Sequence, residues 1–301
     1  MERSYTQAQV TLRNILVPTD FSSASRVALF YALSLVRRYS ATLYLAHIVG
    51  ANPLHQGESQ APGSAVDQAW REGHRLTTDL LVSGHLRDIP HKLLVAQGSI
   101  WETLAPMIQE HEIDLIVLGT RGRTGLSKMF LGSTAEVIFR QASCPVVTVG
   151  PNFPGEPIEN SGLRRILAAA TFKPHSLHAV SYALSFAQQY QAHLTLLHVV
   201  QESYGESRLQ KARFLDEAKM RLRKLVSEGA ALQFEPDFIV GFGTPAARIL
   251  DVAAEQNPDL IVLGVRQSPT MGGRRPWRTA SEVTSKAACP VLTVREPEQP
   301  D

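Results

Sequence analysis

The sequence predicts an α/β fold in two tandem copies, each a parallel sheet covered by helices on both faces. Three observations predict it. First, the chain repeats itself: Asp114-Leu-Ile-Val-Leu-Gly119 returns as Asp259-Leu-Ile-Val-Leu-Gly264, and Cys144-Pro-Val-Val-Thr-Val149 as Cys289-Pro-Val-Leu-Thr-Val294, both 145 residues later. Upstream, Asn14 to Asp20 aligns with Arg165 to Thr171, and Ala46 to Val49 with Leu197 to Val200, at an offset of 151. The first copy therefore carries six more residues between His47 and Gly98, and so long a period marks tandem domains rather than a solenoid of short repeats. Second, short apolar runs alternate with segments of helical period, the pattern of parallel strands joined by crossover helices. Third, 301 residues suffice for two cores.

In the first copy the run Leu12 to Pro18 is apolar enough for a buried strand. Ser22 to Tyr39 follows as a helix, with Val27, Phe30, Leu33 and Leu35 at helical spacing and Ser22 or Ser23 as N-cap. Thr42 to Val49 reads as strand, about Val66 to Leu86 as helix, Lys92 to Ala96 as strand and Ile100 to His111 as helix. Leu115 to Gly119 is the next strand, Ser133 to Gln141 a helix and Val146 to Val149 the last strand. The second copy repeats the order, its longest helix running from Lys211 to Glu228. Its Lys211, Arg213, Lys219, Arg221, Arg223 and Lys224 form either a basic patch or, with Phe214, Leu222 and Leu225 between them, the solvated face of an amphipathic helix. The expected division is 1–150 and 163–296, joined by the Pro- and Gly-bearing connector 151–162.

Composition narrows the function classes. A net charge of +2 with 19% charged residues gives no concentrated positive field for nucleic acid. Two cysteines at matching places read as buried small hydrophobes of a reducing compartment, not as a disulfide framework. No stretch approaches a membrane span and no apolar signal core precedes the first strand, so the expected location is cytoplasmic, with neither nucleic acid nor membrane as partner. His47 and His198 sit at equivalent strand ends in separate copies, and no His/Cys/Asp cluster has zinc spacing; both read as structural histidines.

The chemistry concentrates at two strand ends of the first copy. Pro18-Thr19-Asp20 follows its first strand, and Gly119-Thr120-Arg121-Gly122 follows its fourth, with Gly132-Ser133-Thr134 beyond a further nine residues. In the sheet order 3-2-1-4-5 both ends face one crevice at the reversal of strand order, where ligands of open α/β sheets bind. Gly119 and Gly122 would let backbone approach a ligand, Gly132 would let the chain turn, and Ser133 and Thr134 offer hydroxyls and helix N-terminal N–H groups to phosphate oxygens. Asp20 has two readings: an acceptor for ribose hydroxyls or an adenine amino group, or a cap for the helix near Ser22. Arg121 and Arg123 either lie near phosphate or are solvated. The spacing is neither a Walker loop nor the dinucleotide glycine pattern.

Together with Val17-Pro18-Thr19-Asp20, His47-Ile48-Val49 and Cys144-Pro145-Val146-Val147, this glycine spacing resembles the universal stress protein family, over both copies and in its ATP-binding branch. The resemblance implies Rossmann-like five-stranded parallel domains, adenine and ribose against Asp20 and Ile48, and phosphates against Gly119, Gly122, Arg123, Gly132, Ser133 and Thr134, with Pro18, Thr19 and Thr120 completing the crevice. It also implies ATP, with or without Mg²⁺, as ligand, a regulatory or protective part in the stress response, and dimers built through the last strand. In this chain the last strands of the two copies are expected to pair as an intrachain pseudo-dimer, a unit open to further homodimerisation.

The second copy departs from the pattern at its ligand positions. Gly264 keeps Gly119, but Gln267 replaces Gly122, Trp277 replaces Gly132, Arg278 replaces Ser133 and Thr171 replaces Asp20. A tryptophan where backbone must clear phosphate would fill the pocket, so one working nucleotide site is expected, in the first copy. Gly272-Gly273 with Arg274, Arg275 and Arg278 reads either as an anion loop or as plain surface. Other function classes carried alongside are an interaction or scaffold protein of this fold that binds no nucleotide, and a slow ATPase; the latter lacks a Walker lysine and an evident water-activating base.

Overall fold

The computed structural model describes residues 9–50, 65–120, 132–153, 162–200, 208–226, 231–266 and 277–296. They form two compact units, Thr11–Glu159 and Asn160–Asp301, the second also taking in Val10, whose N–H donates to Ser185 Oγ at 2.7 Å.

The first unit runs β1 (Asn14–Pro18), α1 (Ser23–Tyr39), β2 (Thr42–Val49), α2 (Ala65–Val82), β3 (His91–Gln97), α3 (Ile100–Glu110), β4 (Leu115–Gly119), α4 (Ser133–Gln141) and β5 (Val146–Val149). All pairings are parallel: β1 lies between β2 and β4, β3 flanks β2, and β5 flanks β4, which is the order 3-2-1-4-5. The second unit runs β6 (Arg165–Ala169), α5 (Pro174–Tyr190), β7 (His193–Val200), α6 (Arg208–Arg223), β8 (Asp237–Phe242), α7 (Pro245–Gln256), β9 (Leu260–Val265), α8 (Arg278–Lys286) and β10 (Val291–Arg295). Its pairings repeat the same parallel order, β8-β7-β6-β9-β10.

The central strands show why the sequence folds this way. Ile15, Leu16, Val17, Ile116 and Val117 are fully buried, as are Leu167, Ile261 and Val262 in the second unit. Both faces of these strands are covered, so the apolar runs are continuous rather than alternating. Each such side chain contributes about 1.5–3 kcal/mol by leaving water. Register is pinned by a carboxylate at the opposite end of the sheet from the crevice. Asp114 Oδ2 accepts the N–H groups of Arg13 and Asn14 at 2.7 and 2.9 Å, and Asp259 Oδ2 those of Arg164 and Arg165 at 2.8 Å each. That clamp ties β1 to β4 and β6 to β9, and it explains why the aspartate of the repeated Asp-Leu-Ile-Val-Leu-Gly run is kept.

Several boundaries and faces differ from the sequence reading. Ser22 caps α1, its Oγ accepting Ser25 N–H at 3.2 Å. The enclosed face of α1 is formed by Leu29, Leu33 and Val36 with Ala28 and Ala32, while Phe30 lies half-buried edge-on to the His85 ring. Helix α2 stops at Val82 rather than Leu86, because the chain turns at Gly84 with φ +79°. Helix α6 ends at Arg223 rather than Glu228; Leu222 and Ala218 are its buried side chains, and Phe214, expected on the apolar face, is exposed. Among the cations of α6, Lys211, Arg221 and Arg223 lie over the rings of Phe242, Phe172 and Phe238, at 5.3, 4.1 and 5.8 Å. These contacts agree with a solvated amphipathic helix whose long side chains cover neighbouring rings.

Candidate functional site

A cavity of about 330 Å³ opens at the carboxyl ends of β1 and β4 in the first unit. Its walls bring together Pro18, Thr19, Asp20, Ile48, Gly119, Thr120, Gly132, Ser133 and Thr134, nine of the eleven positions expected from sequence. The remaining two, Gly122 and Arg123, lie outside the described residues.

Local hydrogen bonding shapes the β1 side. Beyond β1, Thr19 N–H continues the ladder to Ala46 O at 2.8 Å. Thr19 Oγ1 then accepts Phe21 N–H at 3.0 Å and lies 3.1 Å from Ser25 Oγ, which turns the chain sharply into α1. Asp20 Oδ1 accepts Ser22 N–H at 3.0 Å, an Asx turn. The helix cap is Ser22, while Asp20 shapes the turn before it and is among the residues lining the cavity.

On the β4 side, Thr120 N–H donates to Val149 O at 3.1 Å, and Thr120 O accepts Gly132 N–H at 2.8 Å. The chain leaves β4 and returns to α4 at one point, so the start of α4 is fastened beside the strand end. Helix α4 has no side-chain cap. Its first turn bond is Glu136 N–H to Gly132 O at 2.8 Å, so the N–H groups of Ser133, Thr134 and Ala135 precede the helical ladder at the cavity wall.

Two glycines act differently from the expectation. A Cβ on Gly119 would stand 2.7 Å from Ala24 O and 3.0 Å from Ala24 C, so this glycine admits the backbone of α1 against β4. Gly264 does the same in the second unit, 2.5 Å from His175 O and 2.6 Å from Ser176 Cα. Gly132 has φ −58° and ψ 151°, a conformation open to any residue, so whatever it provides at the cavity is space rather than an unusual turn.

Sequence reasoning passed over an aromatic stack behind the cavity-lining His47. Phe21, in the left-handed region at φ 61°, stacks on His47 with centroids 4.5 Å apart and planes 27° apart. His47 Nδ1 lies 2.6 Å from Thr19 O. A carbonyl only accepts, so Nδ1 carries the proton and Nε2 is the acceptor of the neutral ring. The second unit repeats the device: Phe172 at φ 58°, centroids 4.4 Å apart on His198, and His198 Nδ1 2.6 Å from Ala170 O. The signal available in sequence was Phe at +1 from Asp20 and from Thr171, paired with His at equivalent strand ends.

Burial displaces the protonation equilibria of several groups in the second unit. In the second unit, burial above all pushes His198 below its ordinary value; the Ala170 carbonyl partly opposes this and the Arg221 guanidinium adds to it. His175 is lowered by burial first, then by Arg266 and Lys173. Burial pushes the Cys289 thiol up to about 12, which suits a packed small hydrophobe rather than a reactive thiol. Among the described residues no group of His, Cys, Asp and Glu could hold a metal ion, and no helix is long and apolar enough to cross a membrane.

Comparisons with known proteins agree on the family. The universal stress protein family model matches twice, over residues 11–150 and 162–295. A universal stress protein of Methanocaldococcus jannaschii is 25% identical over 138 residues, 46% of this chain and 81% of its own length. One from Thermus aquaticus is 32% identical over 137 residues, 44% of this chain and 98% of its own. The crystal structure of a universal stress protein from Archaeoglobus fulgidus shares the fold of both units, with a TM-score of 0.70 at 19% identity, covering 94% of this chain and 98% of that one. With two family matches that together span nearly all of its length, the chain belongs to the universal stress protein family, as a tandem of two such domains.

Proposed function

We propose that the first unit binds an adenine nucleotide, ATP by preference, and that the protein acts as a nucleotide-responsive regulatory or protective factor in the stress response. The observation that carries this reading is the 330 Å³ cavity, in which the turn of Asp20 and the uncapped start of α4 share one wall system. Each end offers chemistry suited to one part of the ligand. The Asp20 carboxylate and the apolar Ile48 suit ribose hydroxyls and a base edge. The N–H groups of Ser133 and Thr134, with the positive end of the α4 dipole, suit phosphate oxygens without a lysine. Gly122 and Arg123 are carried in the proposal as phosphate contacts.

Binding rather than turnover is the favoured chemistry. Among the described residues that line the cavity there is no lysine or arginine, and its one carboxylate, Asp20, is engaged by Ser22 N–H. Slow hydrolysis therefore ranks below regulated binding. Calorimetric titration of ligand-free protein with ATP, beside AMP and cAMP, is the direct test. The expected stoichiometry is about one nucleotide per chain. No binding of any of the three would sink the proposal, and two equivalent sites would refute the assignment to the first unit.

A further inference from the structure

We propose that the second unit docks an acidic peptide segment in extended conformation, added as a strand along the free edge of β8 beside α6. The inference does not rest on nucleotide binding by the first unit. Strand β8 pairs with β7 alone among the described residues. Gly243 N–H donates to Val200 O at 3.1 Å, and main-chain groups alternate sides along a strand, so the N–H and C=O groups of Phe238, Val240 and Phe242 face away from β7. Edge strands are commonly blunted by a lysine, a proline or a bulge. The matching edge of the first unit, β3, carries Lys92. The run Phe238-Ile-Val-Gly-Phe242 carries no charge and no proline, and each of its residues is half-exposed. Such an edge is a template for another strand.

The charge beside this edge selects the occupant. A groove of about 480 Å³ lies between Lys219 and Arg223 of α6 and residues 235–239, which lead into β8. Helix α6 carries six cations against Asp216 and Glu217. Neither Lys219 nor Arg223 forms an ion pair among the described residues. Arg223 lies 5.8 Å over the Phe238 ring, so the face of β8 that carries Phe238 is the one beneath the cations. Asp237 points to the opposite face by strand alternation, its Oδ2 3.7 Å from His193 Nε2, and Glu235 precedes the strand. The first unit serves as the contrast. Its equivalent helix, α2, has two arginines against three acids, and both are paired, Arg71 with Asp67 and Arg75 with Glu72. A lysine-free apolar edge under a wall of unpaired cations is therefore particular to the second unit. An extended peptide supplies the main-chain partners that Phe238, Val240 and Phe242 lack, and the period of two puts every second side chain toward α6. Carboxylates at those positions would give charge-assisted bonds to Lys219 and Arg223.

The probe is a fluorescein-labelled eight-residue peptide of alternating glutamate and valine, titrated with the full chain and read by anisotropy. It should bind, whereas the peptide of alternating lysine and valine should not. Methylating the amide nitrogens of its glutamates, or in a second peptide those of its valines, should abolish binding for the set that faces β8 and spare it for the other. The double variant Lys219→Glu, Arg223→Glu alters two exposed side chains, so the thermal transition should stay in place while peptide affinity falls about tenfold or more. ATP titration of the same variant should be unchanged, which separates this result from the fate of the first unit's site. Absence of binding, equal binding of both methylated peptides, affinity untouched by the double variant, or tighter binding of single-stranded oligothymidylate at the same cations would each overturn the proposal.

Discussion

The two units of this chain keep one frame and differ at one crevice, and the pattern of what is kept separates folding duties from ligand duties. Retained in both are the glycine that lets the first helix of the unit touch its fourth strand, the aspartate that accepts two N–H groups across the sheet, and the Phe-His stack bonded to the end of the first strand. Each of these has a structural contact that accounts for it. What changed, Asp20 to Thr171, Gly132 to Trp277 and Ser133 to Arg278, lies at the positions that line the first unit's cavity. Duplication inside one molecule thus acts as its own control: under the proposed function, the positions that differ at the crevice are the ones on which binding should depend.

The largest effect should come from copying the second unit into the first. Gly132 lines the cavity at the start of α4, so Gly132→Trp fills the space that phosphate would use. Nucleotide affinity should fall about a thousandfold, roughly 4 kcal/mol, with the thermal transition little changed. Titration calorimetry checks it, and retained affinity would mean that Gly132 has no part in binding.

Next in size is a change that should act alike on both units. Gly119→Val and Gly264→Val each drive a side chain into helix backbone, at 2.7 Å from Ala24 O and 2.5 Å from His175 O. Each should destabilise its own unit by about 2–3 kcal/mol in urea denaturation, with a steric origin in both. If Gly119→Val instead left stability intact and removed nucleotide binding, the glycine would belong to the ligand rather than the frame.

These glycines also show how much was legible in the sequence. The repeat, the element order and the parallel sheet could be read because central strands buried on both faces leave long apolar runs, and because duplicated landmarks preserve spacing. The crevice was legible as a meeting of two strand ends, and nine of its expected residues do meet. Gly119 was placed at the cavity, and the structure adds a neighbour that the sequence could not name, the α1 backbone at Ala24, since a sequence shows that a close approach exists and not what approaches. The helix-terminus errors at Leu86 and Glu228 have a similar source, as apolar spacing continued past turns that backbone conformation imposes. The Phe-His stack escaped notice because its two residues lie 26 positions apart in each unit and meet only when adjacent strand ends do.

The third prediction concerns pH. His175, His178 and His198, all in the second unit, are held below 6.5 chiefly by burial. A folded-state value below the unfolded one means that the unfolded chain takes up protons first. The stability these neutral rings support is therefore present above pH 6.5 and is lost as pH falls below it toward the folded values. Urea denaturation from about pH 8 to about pH 5 should show this loss, and His175→Ala, which restores the first unit's residue, should reduce it by that ring's share, leaving those of His178 and His198. A flat profile in the unaltered protein would contradict the burial-driven shift.

The smallest effect tests what Arg221 adds to a stack that both units share. In the first unit Phe21 covers His47, and no guanidinium lies over that phenylalanine among the described residues; in the second, Arg221 lies over Phe172. Arg221→Met keeps an apolar stem on the ring and removes the charge. The exposed cation-π contact contributes about 0.5–1 kcal/mol, so the stability loss should be no larger than that. The informative readout is His198. With the positive charge gone, one of the influences lowering its pKa disappears, so its titration should move upward, toward its ordinary range. The Ala170 carbonyl bond and the burial that lowers it most would both remain. An NMR titration showing His198 unmoved would mean that Arg221 is screened by solvent and acts only through packing. An upward shift would show that Arg221 acts on His198 by charge, an influence with no counterpart over Phe21 among the described residues.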